Sequence, residues 1–228
     1  MESSIEFVDW YDNQALTAWE QWGQDQPLLP ALLGQFNLNA DVCFVGFNPS
    51  FNEKWINKQL EASREKYVGF TAKALFANGQ SDRTRRIVLI KELEQHAKVN
   101  YSYFKTIGKF VEGFNEPFSW SYLDLYLHRN TSQSESVNEL KASSELQRAM
   151  FELFRQSVAK IEAKVICVLN AKASTEIIAR ISTTELVKTH TKFEGKTLIF
   201  AGMLSGSRAM DRFSKERLRF ELSRELGA

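Results

Sequence analysis

Apolar residues along this chain fall into two kinds of pattern that alternate. Three short runs are apolar at nearly every position: "DVCFVGF" (41–47), "KVICVLN" (164–170) and "KTLIFA" (196–201). Such runs predict strands buried on both faces. "SYLDLYLHR" (121–129) alternates and is β-prone, which predicts a further strand. Between them the spacing changes to three and four. "DNQALTAWEQW" predicts a helix capped by Asp12, with Ala15, Leu16, Trp19 and Trp22 along one side. Residues 51–114 read as mostly helical, including "YSYFKTIGKFVEGF" with Phe104, Ile107, Phe110 and Val111 on one face. "SELQRAMFELFRQSVAKI" predicts a helix opened by a Ser144/Gln147 capping box, its face continued by Met150, Phe151, Phe154, Val158 and Ile161. "AKASTEIIARIS" predicts another. Ser214 is the expected cap of a last helix, with Leu218, Leu222 and Leu226 at i, i+4 spacing. The polar "NTSQSESVNELKAS" reads as an exposed loop.

Strands separated by helices predict a single α/β domain. The expected architecture is a three-layer α/β/α sandwich around a four-stranded, mainly parallel sheet, with residues 1–40 as a helical segment packed on it. In such sheets ligands bind beyond the carboxyl ends of the strands. Here each strand ends in a polar or glycine-rich step: Asn48-Pro49-Ser50, then His128-Arg129-Asn130, then Asn170, then residues 202–208, "GMLSGSR".

Composition changes this picture little. The 228 residues are 43% hydrophobic and 25% charged, an ordinary globular balance. No apolar run is long enough to span a membrane, and the acidic N-terminus lacks the features of a secretory signal, so the cytoplasm is the expected location. The two cysteines, Cys43 and Cys167, lie inside strand-like runs and read as small core residues. They and three scattered histidines offer no metal-ligand spacing, so no metal is expected.

Charge is unevenly placed although the net is only +1. Residues 1–41 hold seven acidic residues and no Lys or Arg. Residues 51–105 hold eleven basic against six acidic residues, including "DRTRR" at 82–86. Either these are solvated helix faces or the basic stretch, Arg83, Arg85 and Arg86 among it, is a nucleic-acid surface.

Three of the strand ends carry a family resemblance. "FVGFNPS" resembles the Gly-x-Asn-Pro motif of the uracil-DNA glycosylase superfamily. "AKVICVLNAKAS" resembles that superfamily's strand leading into a Leu-Gly-Ala-x-Ala turn, and "AGMLSGSRAMD" its second motif, a Ser-containing loop after the last strand. The resemblance runs from residue 41 to 222 by pattern. It implies a protein that flips a damaged or mismatched base and hydrolyses its N-glycosidic bond, with DNA, duplex or single-stranded, as partner. It implies a monomer with no cofactor.

By the same resemblance Asn48 positions the attacking water. An amide orients water but takes no proton at neutral pH. Met203 stands where uracil enzymes usually carry His, and "MLSGSR" is similar to the Met-x-Ser-x-Ser pattern of the thymine-mismatch branch. Met203 and Gly206 belong to the leaving-group loop. Ser50, Ser205, Ser207 and Arg208 would hold phosphates or, for Arg208, fill the vacated stack. Asp124 lies nearest the position that reads the base edge. It is expected either to read a donor-bearing edge or to act as general base; the other possibility is a partner such as Arg129 or a helix N-terminus. Phe47, Phe51 and Phe70, with Tyr67, are the candidate stacking platforms. The alternative reading is a silent member of the fold that binds nucleic acid or a nucleobase-like ligand without cutting.

Overall fold

The computed structural model describes residues 3–79, 81–130, 138, 143–181 and 190–227. Among them are eight helices and five strands: α1 (Ser4–Trp22), β1 (Val42–Gly46), α2 (Glu53–Ala62), α3 (Ala72–Phe76), α4 (Arg83–Asn100), α5 (Ser102–Glu112), β2 (Trp120–Asp124), α6 (Ser144–Lys160), β3 (Val165–Val168), α7 (Ala171–Arg180), β4 (His190–Phe193), β5 (Lys196–Phe200) and α8 (Arg212–Leu226). Most of the polar loop expected after residue 130 lies outside the described residues. The chain forms two compact units that interleave in sequence. One comprises Met1–Gln35, Asn48–Ala97 and Tyr126–Leu153, the other Phe36–Phe47, Lys98–Leu125 and Phe154–Ala228.

The second unit holds the whole sheet, in the order β2-β1-β3-β5-β4. β2, β1, β3 and β5 run parallel, and β4 is antiparallel to β5. The fold is mixed α/β, as expected, and compatible with a three-layer α/β/α sandwich. The sheet has five strands where four were expected. The extra one, β4, has only Phe193 as a large apolar residue and closes an edge, so no apolar run marks it.

β1 and β3 are buried at every position, which is why they read as unbroken apolar runs. One sheet face joins Val42, Phe44, Val165, Cys167 and Ile199 to Ile107, Phe110 and Val111 of α5 and to Leu218 and Leu222 of α8 in a single core. Each such side chain contributes about 1.5–3 kcal/mol on full burial. Both cysteines are buried and free, and burial pushes the Cys43 thiol up to about 12 and the Cys167 thiol higher still. They are core residues and not nucleophiles at neutral pH.

The first unit is helical. α1 starts at Ser4, capped by a Ser3/Glu6 capping box, and not at Asp12. Asp12 is instead buried within the helix, where it accepts the Leu33 backbone N–H at 2.8 Å and pairs with Lys91 at 2.9 Å. Its polarity serves a tertiary contact that mimics a cap in sequence. The two other expected caps also move. α6 begins at Ser144, whose hydroxyl bonds Glu145, so the Ser144/Gln147 capping box does not form. α8 is capped by Asp211, which accepts the Ser214 N–H at 2.9 Å. Among the described residues no helix is long and apolar enough to cross a membrane.

Candidate functional site

The sheet unit presents the ends of its four parallel strands. At the first, Gly46 ends β1 and pairs in register with Asp124, the last residue of β2. β2 stops there and does not run on to Arg129. A side chain at Gly46 would meet Asp124 Oδ1 at 2.6 Å and Tyr122 Cζ at 2.9 Å, and would collide with the Tyr122 hydroxyl. Only glycine lets the Tyr122 phenol lie across this strand. That phenol donates to Asp124 Oδ1 at 2.9 Å. Tyr103 and Phe104 pack edge-on against the Tyr122 ring, with centroids 5.7 and 5.1 Å away. Burial, then the Asp124 charge, raises the Tyr122 pKa well above its ordinary value, and burial raises that of Tyr103. Both phenols therefore stay protonated. Asp124 thus has a partner other than Arg129 or a helix N-terminus: a phenol from its own strand. The signal was present, because residues two apart on a strand share a face.

The third strand end is structural. Asn170 caps α7, accepting the N–H groups of Lys172 and Ala173 at 2.9 and 3.1 Å. The last is the loop from Gly202 to Met210. Its neck is closed by the Met210 N–H to the Met203 carbonyl at 2.8 Å, and Gly206 turns its tip at φ +87°. Gly202 has to lack a side chain because Met210 Cγ would lie 2.7 Å from a Cβ there. Ser207 and Arg208 are exposed at the tip and Ser205 is half-buried. The Ser205 and Ser207 hydroxyls have no partner among the described residues, so both are free to bond an anion. Beside this loop is a cleft of about 350 Å³ whose lining includes Ser174, Gly202, Met210, Ser214, Arg217 and Glu221.

In the helical unit Asn48 is held tightly. Its Nδ2 lies 3.2 Å from the carbonyl oxygens of both His128 and Asn130 and 3.3 Å from that of Pro49. Carbonyls accept only, so the nitrogen must face them and the amide orientation is fixed. Oδ1 has no partner among the described residues and remains an acceptor. The Asn130 N–H returns a bond to the Pro49 carbonyl at 3.3 Å, bracing the Asn48-Pro49 turn. Ser50 is exposed next to it.

The aromatic candidates are placed very differently. Phe47, in the sheet unit, is only 4% exposed, so its ring has no open face for a base. Phe51 is half-buried, edge-on to Phe76 at 5.6 Å. Phe70 is half-buried with the Arg85 guanidinium 5.4 Å from its ring centre. Tyr67 is buried.

The expected basic surface at 82–86 is mostly consumed. Arg83 pairs with Glu20 at 2.7 Å and Lys91 with Asp12 and Asp9, so the acidic N-terminal segment answers the basic stretch within one unit. Arg86 is 1% exposed and donates to the carbonyls of Ala74 and Ala77. It cannot reach a phosphate. The "HRN" step after β2 is likewise internal. Arg129 pairs with Glu94, donates to the Pro30 carbonyl and covers the Phe76 ring at 4.5 Å. His128 is 2% exposed with both ring nitrogens unpartnered, and burial drops its pKa to about 4.

Among the described residues no group of three or more His, Cys, Asp and Glu side chains could hold a metal ion. The chain matches no protein-family model and no curated protein sequence.

Proposed function

We propose that this chain is a DNA glycosylase-like hydrolase of the uracil or mismatch type, acting on DNA as a cytoplasmic monomer without a cofactor. The observation that supports it most is the Asn48 amide, turned by three backbone carbonyls so that only its oxygen is left to accept. Orienting one water needs such a group: a fixed acceptor on a rigid turn. In this reading the water oxygen bonds to the sugar C1′ as the C1′–N bond breaks. The electron pair leaves on the base nitrogen, which gains one proton while the water loses one. Ser205 and Ser207 would bond phosphate oxygens, a task for which their hydroxyls are unengaged. By the resemblance Asp124, which accepts from the Tyr122 phenol, would read a donor-bearing base edge. The test is incubation with duplexes carrying uracil, thymine opposite guanine, hypoxanthine or xanthine, followed by cleavage at abasic sites.

A second reading, binding without cutting, is favoured by Met203, which brings only a backbone N–H to a leaving base where an imidazole would bring a stronger donor. It predicts DNA affinity that falls steeply with salt and no abasic product.

A further inference from the structure

α8 carries a surface that the proposed chemistry does not use. Phe213 is 84% exposed and Phe220 65% exposed, seven residues apart. At 3.6 residues per turn they share a face, opposite the buried Leu218 and Leu222. Arg217 and Arg224 fall between and beyond them on that same face, so the stripe reads Phe213, Arg217, Phe220, Arg224. Single exposed apolar residues are common on protein surfaces. Two aromatic rings interleaved with arginines on one helix face are not explained that way, and no other helix among the described residues has such a pair.

The charges around the stripe favour an anionic partner. Glu216 is taken by Arg219 at 2.6 Å, Glu221 by Arg224 at 2.8 Å, and Asp211 by its capping bonds to Ser214. Arg217 and Arg212 have no ion pair among the described residues, so their charge is uncompensated. The stripe begins two residues after the Asp211 cap that follows the Ser205–Ser207 loop, and Arg217 also lines the cleft beside that loop.

We infer that this face of α8 binds single-stranded DNA, unpaired bases stacking on Phe213 and Phe220 while Arg217 and Arg212 pair with the intervening phosphates. The two rings are roughly 10 Å apart along the axis, a span that an extended strand of a few nucleotides bridges. This deepens the proposed function by naming a strand-holding surface, and it rests on that reading only for the choice of DNA as partner.

The test is fluorescence anisotropy with labelled oligothymidylate, oligouridylate and a duplex, for the wild type and for Phe213→Ala, Phe220→Ala, Phe213→Trp and Arg217→Gln. The phenylalanines are exposed, so circular dichroism and melting should be unchanged in the variants. Each Phe→Ala change should weaken oligothymidylate binding by roughly 5- to 100-fold, Trp should restore it, and duplex binding should change little. Arg217→Gln should flatten the salt dependence of log affinity by about 0.7. Unchanged oligothymidylate affinity in both Phe→Ala variants overturns the proposal. So does an equal loss on duplex, a preference for uridylate with the same Phe dependence, or a dimer in sedimentation that these variants split. Excision is scored separately: stripe-dependent binding without any excision sinks the glycosylase reading and leaves this surface standing.

Discussion

The side-chain nitrogen of Asn48 lies 3.2 Å from the backbone carbonyl oxygen of His128. That bond joins the turn after β1 to the segment after β2, and with its two companions it decides which end of the amide is free. Asn48→Ala leaves three carbonyls without this donor and should cost about 1–3 kcal/mol in urea denaturation. Asn48→Asp should cost more at neutral pH, because a carboxylate facing three carbonyls is repelled. The same repulsion raises the folded pKa of that Asp, so its penalty should be smallest in acid and grow as pH rises above the unfolded value of about 4. A penalty independent of pH would show that the side chain turns away from the carbonyls.

Gly46 and the Tyr122 hydroxyl occupy space that cannot be shared with a Cβ. Gly46→Ala should destabilise by about 1–3 kcal/mol through overpacking. Tyr122→Phe removes the colliding oxygen, so the double variant should recover part of that loss in a double-mutant cycle. Strict additivity would mean that the phenol does not lie over the strand.

His128 makes stability depend on pH between about 6.5 and about 4. In that window the unfolded chain binds a proton that the folded one excludes, so stability falls as pH is lowered through 6.5 toward 4 and the decline flattens below. The whole effect is roughly 3 kcal/mol at most. His128→Phe should remove the slope between pH 5 and 6.5, where carboxylates contribute little. If urea midpoints of wild type and variant track each other across that range, the imidazole is not held neutral.

The parts of the fold most legible in the sequence are those buried on both sides. β1 and β3 are unbroken apolar runs because both are buried at every position, β5 is apolar from Leu198 to Phe200, and Leu218 and Leu222 mark the inner face of α8. The parts least legible depend on partners distant in sequence. Asp12 looks like a cap but serves the Leu33 backbone 21 residues away, and Arg83 looks like part of a basic patch but pairs with Glu20. β2 is shorter than its apolar run because Leu125, Tyr126 and Leu127 are buried outside the sheet. For the site, the sequence points to Asn48 and to the serine loop, while the Tyr122 phenol on Asp124 escapes notice because aromatic residues on strands usually read as core.

The central claim is that water held by Asn48 hydrolyses an N-glycosidic bond. It is tested most directly by single-turnover excision on the lesion panel, with enzyme in excess, comparing wild type and Asn48→Ala at a temperature where both are folded. The account predicts abasic product from at least one of the uracil or mismatch duplexes, formed about 100-fold more slowly or worse by the variant. No product from any duplex, or equal rates for the two proteins, would contradict it.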